Sequence, residues 1–342
     1  MQHEILTAAP LLDRKGDLAE PGWARSLLPV YCRDEIKVGK LRIKEWDYYL
    51  ITDGHIGLAL TIADNGYMGL DSISFLHFDE GWEQTKSPMR LFPRGKTGLP
   101  ETSVDGASEI ARGGYAMAFY HEDDARCLTF HMDNFRGKDA IEGIVRLTDE
   151  PRESIVIATP FDKPKHFYYN QKINCLRAEG WIELGDRRFE LTPDHFFAVL
   201  DWGRGVWTYR NTWYWGSASG LLDGVPFGWN IGYGFGNTAA ASENALFYDG
   251  VLHKLSQVTF EIPQKDSKFD YLAPWKFTSD DNRFYMDFTP VLDRSACMNA
   301  GVLKSDQHQV FGRFTGRVTL DDGTVLPVRD FFGFAERVEN KW

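Results

Sequence analysis

Glu243, Ala245, Phe247 and Asp249 alternate onto one face of a strand-like run, which sets the Glu243 carboxyl among apolar and aromatic neighbours. Such surroundings raise a carboxyl pKa and keep a proton on it near neutrality, as a general acid requires. Asp201 is the second candidate acid. It opens the run Asp201-Trp202-Gly203-Arg204-Gly205-Val206-Trp207, where two glycines flank an arginine and imply an unusual backbone path. Asp201 and Arg204 can pair there, either at a reaction centre or simply to hold a corner between strands. Protonating an alkene takes a neutral acid in an apolar pocket, with aromatic faces to stabilise the cation. Trp213, Trp215, Trp229 and Tyr233 can supply those faces.

Candidate binding groups cluster around these acids. His166, Tyr168, Asn170, Lys172 and Asn174 share one face of a strand; Phe167, Tyr169, Gln171 and Ile173 share the other. The first face is either a solvated exterior or a polar floor inside a barrel. Tyr169 and Asn230 are the candidates to orient a substrate oxygen, and Asn170, Lys172 and Arg204 are further candidate binding residues. Farther on, Trp213, Trp215, Ser217 and Ser219 line one face. Phe227, Trp229, Ile231, Tyr233 and Phe235 alternate with Gly228, Asn230, Gly232 and Gly234. Glycine inside a strand costs stability, so three on one face imply a close approach, by a ligand or by another sheet layer.

Several other chemistries are excluded. Gly232-Tyr233-Gly234-Phe235-Gly236-Asn237 lacks the third glycine of a dinucleotide fingerprint and its strand–turn–helix setting. Gly216-Ser217-Ala218-Ser219-Gly220 has alanine where a nucleophile elbow needs serine. The nine histidines show no H-x-H, H-x-x-x-H or H-E-x-x-H spacing, so no metal site is expected. No cofactor is expected either.

The elements that would position these groups are strands. Helical periodicity is confined to short candidates at 10–28 and 192–200, so helix should stay below about a fifth of the chain. Turn signals are dense: Asp53-Gly54, Asp64-Asn65-Gly66, Glu122-Asp123-Asp124, Gly185-Asp186, Asp223-Gly224, Asp249-Gly250, Asp280-Asp281-Asn282 and Asp321-Asp322-Gly323. Strand-like runs flank each one, which predicts an all-β fold of antiparallel sandwiches or barrels. The Pro-rich stretch 159–164 is the best candidate linker. It suggests an N-terminal extension over 1–35 and β domains over 36–160 and 165–342.

The 342 residues are 43% hydrophobic and 14% aromatic, enough for a sizeable core. Lys and Arg total 38 against 49 Asp and Glu, for a net charge of −11, which argues against nucleic acid and anionic lipid surfaces as partners. No apolar run approaches the ~18 residues of a membrane span, and the first residues lack the pattern of a signal peptide. The four cysteines are scattered, as in a reduced compartment, so a cytoplasmic location is expected. Oligomeric state is not legible.

Longer phrases carry a resemblance. They are Glu45-Trp46-Asp47-Tyr48-Tyr49, Thr61-Ile62-Ala63-Asp64-Asn65-Gly66-Tyr67, Asp201-Trp202-Gly203-Arg204-Gly205, Gly228-Trp229-Asn230-Ile231-Gly232-Tyr233-Gly234 and Glu243-Asn244-Ala245. Gln307-His308-Gln309-Val310-Phe311-Gly312 and Phe332-Gly333-Phe334-Ala335-Glu336-Arg337-Val338 complete the series, and His308 joins the candidate binding residues. In this order they resemble the DUF2804 family nearly end to end. That family is distantly similar to the two-domain lipocalin-like proteins that include carotenoid 1,2-hydratase, AttH-type proteins and tocopherol cyclase. The resemblance implies two calycin-type barrels, an apolar ligand within one barrel or between them, and cofactor-free hydration or cyclisation by a lyase or isomerase. Two other classes compete: a non-catalytic carrier of a hydrophobic ligand, and a carbohydrate-active β protein. Two carboxylates facing each other at ~5–10 Å would favour the last.

Overall fold

Each Asp- and Gly-rich turn reverses the chain between antiparallel strands. Asp223 and Gly224 (φ 52° and 82°) and Asp249 and Gly250 (φ 49° and 74°) supply the paired positive φ values of two-residue hairpins. The computed structural model describes residues 2–300 and 303–341. Strands take up 63% of the chain and helix 2%, the latter as two single turns, Arg33–Glu35 and Lys40–Arg42.

The principal strands of the first sheet are β1 (Ile43–Thr52), β2 (Ile56–Asp64), β3 (Met68–His77), β4 (Trp82–Lys86), β5 (Ala107–Arg112), β6 (Tyr115–Glu122), β7 (Ala125–Arg136), β8 (Asp139–Thr148), β9 (Phe167–Leu184) and β10 (Phe197–Val206). Their order is β4-β3-β2-β1-β10-β9-β8-β7-β6-β5. The second sheet holds β11 (Arg210–Leu222), β12 (Val225–Tyr233), β13 (Ala245–Tyr248), β14 (Val251–Lys254), β15 (Val258–Glu261), β16 (Trp275–Ser279), β17 (Phe284–Ala300), β18 (Leu303–Thr319) and β19 (Val325–Lys341). Their order is β14-β13-β12-β11-β19-β18-β17-β16-β15.

The chain passes from one sheet to the other at 207–209. The Pro-rich stretch 159–164 turns a hairpin within the first sheet, where Pro160 pairs with Phe167. Its prolines sit where few ladder bonds are needed. Neither helical candidate forms a helix. Thr192 closes a turn with His195 and Phe196, and Phe197–Val206 then pairs on both sides, with β1 and β9. Two strand partners outweigh a weak local helical pattern. Residues of the N-terminal segment are sewn into the fold: Gly22–Ala24 pairs with the strand Ile155–Pro160.

Alternation divides each strand between two environments. Ile43, Tyr49 and Ile51 of β1 and Ala198, Leu200, Trp202 and Val206 of β10 fill the core enclosed by the first sheet. Phe227, Trp229, Ile231, Phe314 and Ala335 fill that of the second. The opposite faces meet each other. Tyr48, Leu50, Val199, Trp215, Phe311 and Phe334 form one apolar cluster between the sheets, and Tyr168, Cys175, Trp207, Phe235 and Phe247 form another. Side chains that point away from their own core therefore line a buried seam.

Candidate active site in the seam

Two cross-strand rows face each other in this seam. In the first sheet, Lys172 pairs with Asp201, Asp201 with Tyr48, Tyr48 with Thr61 and Thr61 with Ser72. In the second, Arg294 pairs with Gln309, Gln309 with Glu336 and Glu336 with Trp215. All nine line one cavity of about 480 Å³. Trp46, Tyr168, Trp207, Trp213 and Phe235 add an aromatic wall, and Ser74, Thr85 and Ser87 a hydroxyl-bearing one. The rows touch at one end and midway along. Lys172 Nζ lies 3.9 Å from the centre of the Trp215 ring, and Gln309 Nε2 donates to the Tyr48 hydroxyl at 3.4 Å.

At the lysine end, Nζ stands 2.7 Å from Asp201 Oδ2 and 3.7 Å from Glu243 Oε2. Asn170 Nδ2 and Trp46 Nε1 donate to Asp201 Oδ1 at 2.6 and 3.2 Å. Both oxygens of Asp201 are thus committed. Glu243 stands behind this pair and does not line the cavity; Asn230 Nδ2 donates to its Oε2 at 3.0 Å. Burial pushes the Glu243 carboxyl above the usual range, against the pull of Lys172 and Asn230.

Glu336 is 4% exposed. Trp213 Nε1 donates to its Oε1 at 2.9 Å and Gln309 Nε2 to its Oε2 at 3.2 Å. Burial pushes its carboxyl up to about 7, opposed by the Trp213 N–H, Arg294 and Lys172, and assisted by Asp201. No ion-pair partner lies within 4.0 Å of it among the described residues, in contrast to Asp201.

Of the residues singled out from the sequence, Asp201, Lys172, Trp213 and Trp215 meet in the cavity. Asn170, Asn230 and Glu243 support them from behind; Asn230 Oδ1 accepts from Trp215 Nε1 at 2.7 Å. The others lie elsewhere. Tyr169 points into the first core, where its hydroxyl donates to Pro29 O at 2.5 Å. Arg204, three residues from Asp201 and so on the opposite face, pairs inside that core with Asp47 at 3.0 Å. Tyr233 stacks on Tyr214 at 4.5 Å on the inner side of the second sheet. His308 stacks on Tyr271 at 3.8 Å and binds Asp293 at 2.7 Å, on the face of β18 away from the seam.

The glycine face is filled. A Cβ on Gly228 would run into Ala218 O and stand 2.9 Å from Cys175 Sγ of the first sheet, and one on Gly232 2.5 Å from Glu243 Oε1. The close approach inferred there is by protein, not by cavity. Phe235 leaves its alternating face because Gly234, at φ 89°, turns the chain after Tyr233. The polar face of β9 is neither solvated nor inside a barrel: Tyr168 and Lys172 line the cavity, and Asn174 donates to Ser217 at 2.8 Å across the seam.

Glu336, Gln309, Tyr48 and Arg294 were not singled out, and Tyr168 was named only as part of the polar face of β9. Glu336 had a signal: Phe332, Phe334 and Glu336 alternate onto one face, the pattern that drew notice at Glu243. Among the described residues, no group of three or more His, Cys, Asp or Glu side chains is arranged to hold a metal. No described helix is long and apolar enough to cross a membrane.

Curled antiparallel sheets of this kind make a lipocalin-like fold. The chain belongs to the DUF2804 family, a domain of unknown function whose model matches residues 2–342. No curated protein matches the sequence. Among solved structures, a protein of Nitrosomonas europaea assigned as an AttH shares the fold, with TM-score 0.56 and 13% identity over 96% of this chain and 98% of that one. Kievitone hydratase from Nectria haematococca aligns with TM-score 0.48 and 8% identity over 98% of both chains. CghA bound to Sch210972 aligns with TM-score 0.46 and 10% identity over 97% of both.

Proposed function

We propose that the protein is a cofactor-independent enzyme of the hydratase or cyclase type, acting on an apolar, alkene-bearing molecule held between the two sheets. One observation carries the reading: Glu336, a carboxyl raised to about 7, faces a cavity with an aromatic wall and has no ion-pair partner among the described residues. A group with such a pKa is half protonated at neutral pH, where proton donation is most effective.

In this scheme Glu336 transfers its proton to one alkene carbon. The double-bond electron pair forms the new C–H bond, and positive charge develops on the adjacent carbon. Trp213 and Trp207 offer π density to that charge. The Trp215 face already holds the Lys172 ammonium, which leaves the developing charge to Trp213 and Trp207. In hydration, water attacks the cation and its surplus proton returns to the Glu336 carboxylate. In cyclisation, an internal hydroxyl or second alkene closes the ring, and the same carboxylate collects the departing proton. Asp201, Lys172, Asn170, Asn230 and Glu243 act as positioning residues. The carbohydrate reading needs two working carboxylates, whereas Asp201 is bound to Lys172, Asn170 and Trp46. The sheet change at 207–209 supports a division into units over 36–206 and 210–342.

The test compares small molecules retained by wild type and Glu336→Gln, by native mass spectrometry and extraction. The expected result is one apolar substrate trapped on Glu336→Gln, and on wild type its isomer or its adduct with one water. An identical, unaltered molecule on both proteins would make the chain a carrier.

A further inference from the structure

We infer that Arg294 is the anion-binding residue of the cavity and that the apolar substrate carries a carboxylate or an enolate. The inference rests on the reading of the seam as a site for an apolar molecule.

Arg294 stands at the end of the row that runs through Gln309 to Glu336, and its half-buried side chain lines the cavity. Two of the described carboxylates nearby are committed elsewhere. Asp201 is bound to Lys172, and the adjoining Asp293, on the opposite face of β17, is bound to His308. Glu336 feels the Arg294 charge, but no described carboxylate lies within ion-pair distance of the guanidinium. A cation left uncompensated in an apolar cavity is costly, and an anionic ligand group removes that cost. The planar fork of an arginine matches the two oxygens of a carboxylate or of an enolised dicarbonyl.

A second donor stands beside it. The Tyr48 hydroxyl accepts from Gln309 Nε2, which leaves its own proton for a ligand oxygen, and it lies within reach of Arg294. Lys172 cannot serve in the same way, since Asp201 already holds it. Arg294 and Glu336 are two strands apart, roughly 10 Å at the usual inter-strand spacing. Anchor and reacting alkene are therefore different groups of one molecule. The anion fixes the register of the chain or ring system, and the acid meets a carbon farther along it.

The test uses a matched terpenoid pair, all-trans-retinoic acid and all-trans-retinol, titrated at pH 7.5 by quenching of tryptophan fluorescence. Wild type, Arg294→Met and Arg294→Lys are compared. Charged hydrogen bonds of this kind correspond to an effect of about 10–100-fold. Arg294→Met should weaken retinoate by that factor and leave retinol within about twofold, while Arg294→Lys retains part of the preference. Equal weakening of both probes, or unchanged retinoate affinity in a folded Arg294→Met, overturns the inference. Should the methionine variant fail to fold, Arg294→Gln takes its place under the same criteria. Binding of neither probe to wild type would instead remove the cavity reading on which the inference stands.

Discussion

Glu336→Gln should change how stability depends on pH, and the sign follows from where the carboxyl sits. Its pKa is about 7 when folded and near the ordinary 4.5 when the chain is unfolded. Between those values the native state holds a proton that the unfolded state has released. Stability therefore falls as pH rises from about 4.5 to 7 and levels off above that. A displacement of this size corresponds to about 3 kcal/mol, all of it expressed above the folded pKa and none below the unfolded one. Glutamine keeps a carbonyl for the Trp213 N–H and a polar partner for Gln309, without a charge to bury. The variant should match wild type near pH 4.5 and exceed it by about 3 kcal/mol at pH 8. In a chain of 342 residues that gain raises Tm by roughly 4 °C. Urea unfolding of both proteins at pH 4.5, 6 and 8 gives the comparison. A stability difference independent of pH, or a wild type favoured at pH 8, would refute the reasoning.

The neighbouring groups behave differently. Lys172→Met leaves Asp201 and Glu243 facing each other without their cation and should cost about 3–5 kcal/mol, read as a fall in urea midpoint. Glu243→Gln, once a substrate is in hand, should keep turnover within about tenfold of wild type, while Glu336→Gln loses roughly 10²–10⁴-fold. The reverse ranking would move the acid to Glu243. Gly232→Val drives a Cβ to 2.5 Å from Glu243 Oε1 and 2.8 Å from Tyr214 O, so it should destabilise by at least about 1–3 kcal/mol. A neutral effect in thermal unfolding would mean that open space adjoins that strand. Tyr169→Phe removes only the bond to Pro29 and should cost about 1 kcal/mol without altering ligand retention.

The hairpins were legible because their information is local. Asp-Gly pairs impose positive φ, and alternating runs on either side set the register across each turn. Long-range pairings have no such marker: β1 finds β10, and β11 finds β19, each across more than a hundred residues. The cavity is built from those pairings, so its rows could not be assembled from neighbouring residues. Parity alone separated Asp201 from Arg204, since an odd spacing puts them on opposite faces of β10. Glu243 and Glu336 carry the same local pattern, an acid alternating with aromatics. Only the seam distinguishes them, placing Glu336 at the cavity and Glu243 behind Asn230. The bare face of β12 was ambiguous for a similar reason: a row of glycines marks close approach without telling ligand from protein.

Blocking the seam tests the central claim most directly. Ala63 is 4% exposed and lines the cavity opposite the second sheet, so Ala63→Phe places a ring in that space without cutting a hydrogen bond of its side chain. Native mass spectrometry of freshly purified wild type should show an apolar small molecule at one per chain. Folded Ala63→Phe should carry none. Retention of the same molecule by the blocked variant would place the ligand elsewhere and contradict the account.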